Sequence, residues 1–320
     1  MEKKHILVVG SSNTDLIVQV PTLPRPGETV LGGTFATFPG GKGANQAVAA
    51  ARAGGEVVFI ASVGGDAYGK EAVRIYEAET IQTGHIKVCR EKPSGVATIT
   101  IAANGENAIA VAPGANADLL PADLDRAWEA FSAASTLLIQ LETPLETVQK
   151  AVDMCKGRNI RVILNPAPGR DLPDSLLAGV QVITPNQTEA EVLTGIRVVD
   201  EESARQAATA LHRKEIGTVI LTLGDQGAFV SDRWSGIQRL VPGFRVDPVD
   251  TTAAGDTFNG QLAVALAEGK PMDAAVRLAH AAAALSVQKL GAQSSIPHRR
   301  DTERFLAARG TENQETSQIQ

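Results

Sequence analysis

The sequence predicts an α/β fold, with a mostly parallel sheet covered by helices on both faces and a small separate β-layer. Two observations predict it. Short apolar runs bounded by turn residues alternate with amphipathic helical segments, as parallel strands joined by helical crossovers do. Two other stretches alternate with period 2, carry hairpin signals and lack intervening helices. The 320 residues, 43% hydrophobic and 21% charged, fit one large α/β domain or two modest ones with a sizeable core.

The elements follow in chain order. HILVVG (5–10) is a first strand; its apolar run, Ile6 to Val9, is too short for a signal peptide. VVFIASV (57–63), STLLIQLE (135–142), IRVILNP (160–166), VQVITPN (180–186) and GTVILTLG (217–224) read as further buried strands that run into Gly, Asn, Glu or Pro. Between them GANQAVAAARAG (43–54), GKEAVRIYEAE (69–79), ADLDRAWEAFSAA (122–134), LETVQKAVDMCK (145–156) and EESARQAATALHRK (201–214) are amphipathic helices. Ligands in such sheets bind at the carboxyl ends of the strands, so the polar residues there are the first candidates. The two period-2 segments, about 14–40 and 95–113, predict a lid over those ends. ANGEN is its hairpin turn, and Gly32–Gly33 and Gly40–Gly41 are its hinges. Residues 1–308 are expected to form one domain, and the polar tail 309–320 to be disordered.

Composition excludes several classes. Thirty basic and 36 acidic residues give a net charge of −6, so no basic face is expected for nucleic acid or an anionic membrane. No run approaches the roughly 20 apolar residues of a membrane span. Cys89 and Cys155 form no C-x-x-C pair, which predicts reduced thiols and a cytoplasmic location. The P-loop pattern is absent, and GGDAYG is not a dinucleotide fingerprint, which argues against a nicotinamide dehydrogenase.

The chemistry is concentrated in VDTTAAGDTFNG (249–260). An apolar helical pattern follows it, so Asp256 sits in a first helical turn. Helix N-termini offer free N–H groups and partial positive charge. Ala253, Ala254 and Gly255 are too small to shield them, which predicts a pocket for an anion such as a phosphoryl group. A carboxylate beside that group can take the proton of an attacking hydroxyl. Asp256 can equally be a plain helix cap.

Several spaced motifs resemble the PfkB (ribokinase-like) carbohydrate kinases. DTTAAGDTFNG is similar to the C-terminal signature of that family and GGKGANQAVAAARAG to its N-terminal one. GSSNTDLIV, QLETPLE, LNPAPGRDLPD, ITPNQTEAEVLTGIRV and HAAAALSVQKLGAQSS are similar to its ribose-phosphorylating branch, and the likeness spans about Ile6 to Leu306. The resemblance implies a three-layer α/β/α sandwich with a β-sheet lid and ATP-dependent phosphorylation of a sugar hydroxymethyl group, here giving ribose 5-phosphate. Asp256 would be the general base.

The remaining candidates combine residue chemistry with this likeness. An uncharged pentose needs polar groups that bind neighbouring hydroxyls. By resemblance Asn13, Asp15, Gly41, Lys42, Asn45 and Glu142 bind the sugar. Taken alone, Asn13 and Asp15 could form a turn and Lys42 could be a surface charge, whereas Glu142 ends an apolar strand and needs a partner. Asn186 and Glu189 match the N-x-x-E motif, with Asn186 near the phosphates and Glu189 reaching Mg²⁺ through water; a capping box is the alternative. Thr222, Gly224 and Gly227 of TLGDQG would line the ATP groove or make a hairpin. His280 would edge the adenine pocket or pack its helix. Asp250, Thr252, Ser286, Lys289, Gly291 and Ser295 match positions that hold a monovalent cation, K⁺, several of them through carbonyls. A homodimer is expected, since pairing two lids would cover their open edges. Another sugar such as fructose or deoxyribose, or a non-catalytic sensor, are the rival readings.

Overall fold

The computed structural model describes residues 5–317, with side chains as far as Arg309. The chain runs through β1 (His5–Val9), β2 (Asn13–Val20), β3 (Thr34–Gly40), α1 (Lys42–Arg52), β4 (Val57–Gly64), α2 (Ala67–Ala78), β5 (Ile86–Cys89), β6 (Gly95–Ala102) and β7 (Asn107–Ala112). It continues through α3 (Pro121–Arg126), α4 (Trp128–Ala133), β8 (Ala134–Ile139), α5 (Leu145–Cys155), β9 (Arg161–Leu164), α6 (Asp174–Leu177), β10 (Val182–Ile183), α7 (Gln187–Thr194) and α8 (Glu201–Arg213). It closes with β11 (Thr218–Thr222), β12 (Gly227–Asp232), β13 (Gln238–Pro242), α9 (Ala254–Ala267), α10 (Met272–Ser286) and α11 (Arg299–Ser317).

Nine strands form the main sheet in the order β13-β12-β11-β10-β9-β8-β1-β4-β5. The seven from β11 to β5 are parallel, and β12 and β13 add an antiparallel edge. The predicted strands all appear, within a few residues. β1 explains their continuous apolarity: Leu7 and Val9 enter one core while Ile6 and Val8 enter the other. The first core lies under α3 to α8, the second under α1, α2, α9 and α10. This is a three-layer α/β/α sandwich.

The period-2 segments form a second sheet, β3-β2-β6-β7, with β2 and β6 parallel and the outer pairs antiparallel. The ANGEN turn joins β6 to β7, with Gly105 at φ +86°. Gly33 adopts φ +117°, and a Cβ there would lie 1.8 Å from the Gln19 carbonyl.

One reading is corrected. The helix expected over 122–134 breaks at Ala127 into α3 and α4, because Ala127 leaves helical geometry (φ −97°, ψ 18°). Part of the tail expected to be disordered, from residue 309, is described as the end of α11, which runs to Ser317; 318–320 lie outside the described residues. The edge strands β12 and β13 carried no helical partner and went unread. No helix among the described residues is long and apolar enough to cross a membrane.

Candidate active site

The site lies where the carboxyl ends of β1, β8, β9, β10 and β11 meet the start of α9. Ala253 caps α9 in the left-handed region (φ 59°, ψ 14°), which costs a non-glycine residue roughly 1 kcal/mol. Such strain is kept where the turn has a task. Ala254 does not offer its amide as expected. That amide is drawn back to the Thr251 carbonyl at 3.2 Å. Among the described residues the amides of Ala253, Gly255 and Asp256 have no protein acceptor, and a Cβ built on Gly255 would meet nothing within 4 Å. Unbonded donors and open space together form a pocket with the chemistry to hold an anion.

Asp256 is buried, 7% exposed, and both its oxygens are held. Asn45 Nδ2 donates to Oδ2 at 3.0 Å and Gln46 Nε2 to Oδ1 at 2.9 Å. Gln46 is itself held: its amide nitrogen also donates to Asn165 Oδ1 at 3.0 Å, and its oxygen accepts from Gln140 Nε2 at 2.5 Å. Gln293 donates to Asn45 Oδ1 at 3.2 Å. Neutral amides donate to both oxygens of this buried carboxylate, as a buried polar group requires. The plain cap is not what forms, since Asp256 accepts from side chains of α1 rather than from its own helix start.

Close packing of α1 on α9 brings these groups together. Gly260 touches α1, and a Cβ there would lie 2.5 Å from Ala49 Cβ and 2.7 Å from the Gln46 carbonyl. Gly43 touches the chain after β1 in the same way, 2.5 Å from the Ser11 amide. Small residues at these crossings set the distance between Asp256 and the sugar-end groups.

At the end of β8 the half-buried Glu142 has the partners that a partly buried charge needs. Its Oε2 accepts from Ser11 Oγ at 2.5 Å and from the Lys42 amide at 2.9 Å. Gly41 starts α1 at φ +88° beside the backbone of Ser11 to Asn13. Lys42 is no free surface charge. Asp256 above all, then Glu142, Glu189 and Asp15, hold its ammonium above the usual lysine range against the cost of burial. Burial, then Glu142 and Asp256, push the Asp15 carboxyl up to about 6, and Lys42 opposes this. Asn13 is buried and accepts from Asn116 Nδ2 at 2.7 Å.

At the other end, Gly224, Phe244, Val246, Thr251, Ala254 and His280 help line a cavity of about 270 Å³ whose surface is mostly apolar. The His280 ring lies 5.0 Å from Phe258, its Nε2 has no hydrogen-bond partner among the described residues, and burial lowers its pKa to about 4, so it is neutral near pH 7. Asn186 and Glu189 do form the capping box: Asn186 Oδ1 accepts from the Glu189 amide at 2.8 Å and Glu189 Oε2 from the Asn186 amide at 2.9 Å. Burial pushes the Glu189 carboxyl up, opposed by the Asn186 amide and Lys42. Its Oε1 takes no protein hydrogen bond among the described residues, which suits a hydrated divalent cation. Thr222 braces Asn186 through a parallel bridge. Gly227 is required by packing, since a Cβ would lie 2.1 Å from the Val241 carbonyl.

Asp250 sits just before the turn that starts α9. Its Oδ1 accepts from the Thr252 amide and its Oδ2 from the Gly291 amide, at 2.9 and 2.8 Å. Burial works against ionisation, but hydrogen bonds from Thr252 and Gly291 outweigh it and hold the carboxyl below its usual range. The amides of Val249 and Asp250 bond the Val287 carbonyl, so the turn and the 286–295 loop are one unit. Ser286 and Ser295 spend their hydroxyls on local carbonyls. An ionised carboxylate is an oxygen donor of the kind that suits a weakly held hard cation.

Residues 3–299 match the family model described as pfkB family carbohydrate kinase. The chain belongs to that family. A ribokinase of Haemophilus influenzae is 47% identical over 304 residues, covering 95% of this chain and 99% of its own. A deoxyribokinase of Salmonella typhi is 40% identical, covering 91% and 95%. The solved structure of Arabidopsis thaliana ribokinase with ribose and ATP superposes with a TM-score of 0.89 at 32% identity, covering 95% and 98%. The family signatures thus meet at one site, although they lie some 200 residues apart in the chain. Sequence reasoning missed Ser11, Gln46, Gln140, Asn165 and Asn116. All are uncharged and lie inside or beside the motifs, but their roles depend on partners more than 90 residues away.

Proposed function

We propose that the chain transfers the γ-phosphoryl group of ATP to the 5-hydroxyl of D-ribose, giving ribose 5-phosphate and ADP. The observation that carries this is Asp256: a buried carboxylate, held by neutral donors, beside free helix-start amides. The sugar-end cluster and the apolar cavity lie on either side of that turn. Asp256 takes the proton of the 5-hydroxyl as its oxygen bonds to the γ-phosphorus and the bond to the ADP oxygen breaks. The amides of Ala253, Gly255 and Asp256 hold the charge on the transferring group. Lys42 supplies a fixed positive charge at the junction. Asn13, Asp15, Gly41, Asn45 and Glu142 bind the pentose, and the cavity walled by Gly224 and His280 takes the adenine. Glu189, with Asn186, would hold hydrated Mg²⁺ on the phosphates, and the metal would offset their charge. Asp250 and Thr252, with the backbone of Ser286, Lys289, Gly291 and Ser295, would hold K⁺ and fix the shape of the turn.

The small sheet closes over the sugar as a lid on the single domain and excludes water. Its apolar residues remain exposed in one chain: Phe35 65%, Ile109 57% and Val111 54%. Both its edge strands, β3 and β7, are open. Two lids pairing across a two-fold axis would cover them, so the active form is a homodimer. The free, buried cysteines suit the reducing cytoplasm.

Deoxyribose is the alternative substrate, on the strength of the Salmonella typhi relative. A coupled assay across ribose, deoxyribose and fructose, with and without potassium, tests the reading. Ribose should give the highest kcat/KM and potassium should raise it. A better substrate than ribose overturns it.

A further inference from the structure

We infer that Asn116, in the 3₁₀ turn Gly114–Asp118 after β7, is a positioning residue that fixes which half of the Asn13 amide faces the sugar. The inference rests on the sugar-binding role proposed for Asn13.

Hydrogen-bond polarity sets the orientation. The Ser12 amide can only donate, and its partner at 2.8 Å is Asn116 Oδ1. The Ser12 carbonyl can only accept, and Asn116 Nδ2 meets it at 3.1 Å. The Ser12 backbone thus fixes Asn116 at both ends. The second hydrogen of Asn116 Nδ2 points to Asn13 Oδ1 at 2.7 Å. That bond consumes the acceptor end of Asn13. Its Nδ2 is then the end left for a ligand, and it has no protein partner among the described residues. Rotating Asn13 would set two donors face to face in a buried place, where an unmade bond is costly. Asn13 can therefore only donate to a sugar oxygen, while the neighbouring carboxylates, Asp15 and Glu142, accept. This division of roles matches a hydroxyl, which can do both.

Packing reinforces the lock. A Cβ on Gly95 would lie 2.2 Å from Asn13 Oδ1 and 2.3 Å from Asn116 Nδ2, so only glycine leaves room for the bond. The place is also where the lid joins the body. Asn13 begins β2, Gly95 begins β6 and pairs with Asn13, Gly40 ends β3 and pairs with Asn13, and Asn116 follows β7. The Asn116 side chain thus ties the turn after β7 to the start of β2, where the donor that reads the sugar sits.

A double-mutant cycle tests this, with ribose affinity measured calorimetrically without nucleotide and KM measured for both substrates. Asn116→Ala should weaken ribose binding about tenfold and leave the ATP KM unchanged. In the Asn13→Ala background the same change should cost nothing more, because its effect passes through Asn13. Asn116→Asp keeps the side-chain volume and the acceptor for the Ser12 amide, and gives up the donor to the Ser12 carbonyl along with the donor to Asn13. It should weaken ribose binding equally, because Asn13 must turn its donor end to the new carboxylate. Thermal melting reports folding of each variant, and Asn116→Asp serves if the alanine variant does not fold. Additive losses in the cycle, or unchanged ribose affinity in Asn116→Asp, overturn the inference. A wild-type chain that does not phosphorylate ribose instead overturns the proposed function.

Discussion

Replacing either of two glycines on α9 by alanine should give opposite results on stability. At Gly255 an added methyl meets no protein atom within 4 Å and φ is not positive, so the fold accepts it. Removing glycine's excess freedom from a helical turn should stabilise by about 0.5–1 kcal/mol and raise Tm by a degree or two. The methyl nevertheless enters the space in front of the free amides. Loss of one such donor contact to the transferring group should lower kcat about a hundredfold or more. At Gly260 the methyl would stand 2.5 Å from Ala49 Cβ. Carbon atoms need about 3.5–4.0 Å, so α1 and α9 must part by about 1 Å, at a cost of about 1–3 kcal/mol. Asn45 and Gln46 move with α1, so Asp256 loses its setting, and a 1 Å misplacement should also lower kcat about a hundredfold. Thermal melts and a coupled kinase assay on both variants read the contrast. If Gly255→Ala keeps wild-type kcat, the phosphoryl group does not rest on this turn. If Gly260→Ala keeps both Tm and kcat, helix packing does not place the base.

Asp256→Asn should lower kcat about a hundred- to ten-thousandfold while ribose binding stays measurable by calorimetry; unchanged turnover would refute the general-base role. Asp15 gives a pH dependence. Its carboxyl, raised from 3.8 to about 6, binds a proton more readily folded than unfolded, so its contribution to stability falls as pH rises through that window. Asp15→Asn should therefore melt higher than wild type at pH 8 and no higher below pH ~4, and wild-type ribose KM should rise as pH drops through about 6. A flat KM profile from pH 5 to 8 would count against an ionised Asp15 at the sugar. Phe305 of α11 stacks edge-on against Phe244 at 5.2 Å, so Phe305→Ala should raise the ATP KM a few-fold and leave the ribose KM alone in initial-rate assays. Ile109→Lys should leave a monomer by light scattering, and a surviving dimer would place the interface elsewhere.

The sequence alone determined the layers. Doubly buried strands must be apolar throughout and single-faced ones must alternate, so the main sheet and the lid hairpin are written in periods of hydrophobicity. It also marked the ends where chemistry sits, because glycines and lone carboxylates after apolar strands have little other reason to be there. The antiparallel edge β12–β13 was not legible, since its short runs have no helical partner to set them off. Tertiary structure decided which polar groups meet. Ser11 on Glu142, Gln46 on Asp256 and Asn116 on Asn13 are contacts across 131, 210 and 103 residues. No local pattern encodes them, because a neutral side chain acquires its role from the partner that folding brings to it. The same holds for the helix-start amides. The sequence showed that small residues leave them uncovered, but only the fold turned the Ala254 amide back to Thr251 and left those of Ala253, Gly255 and Asp256 free.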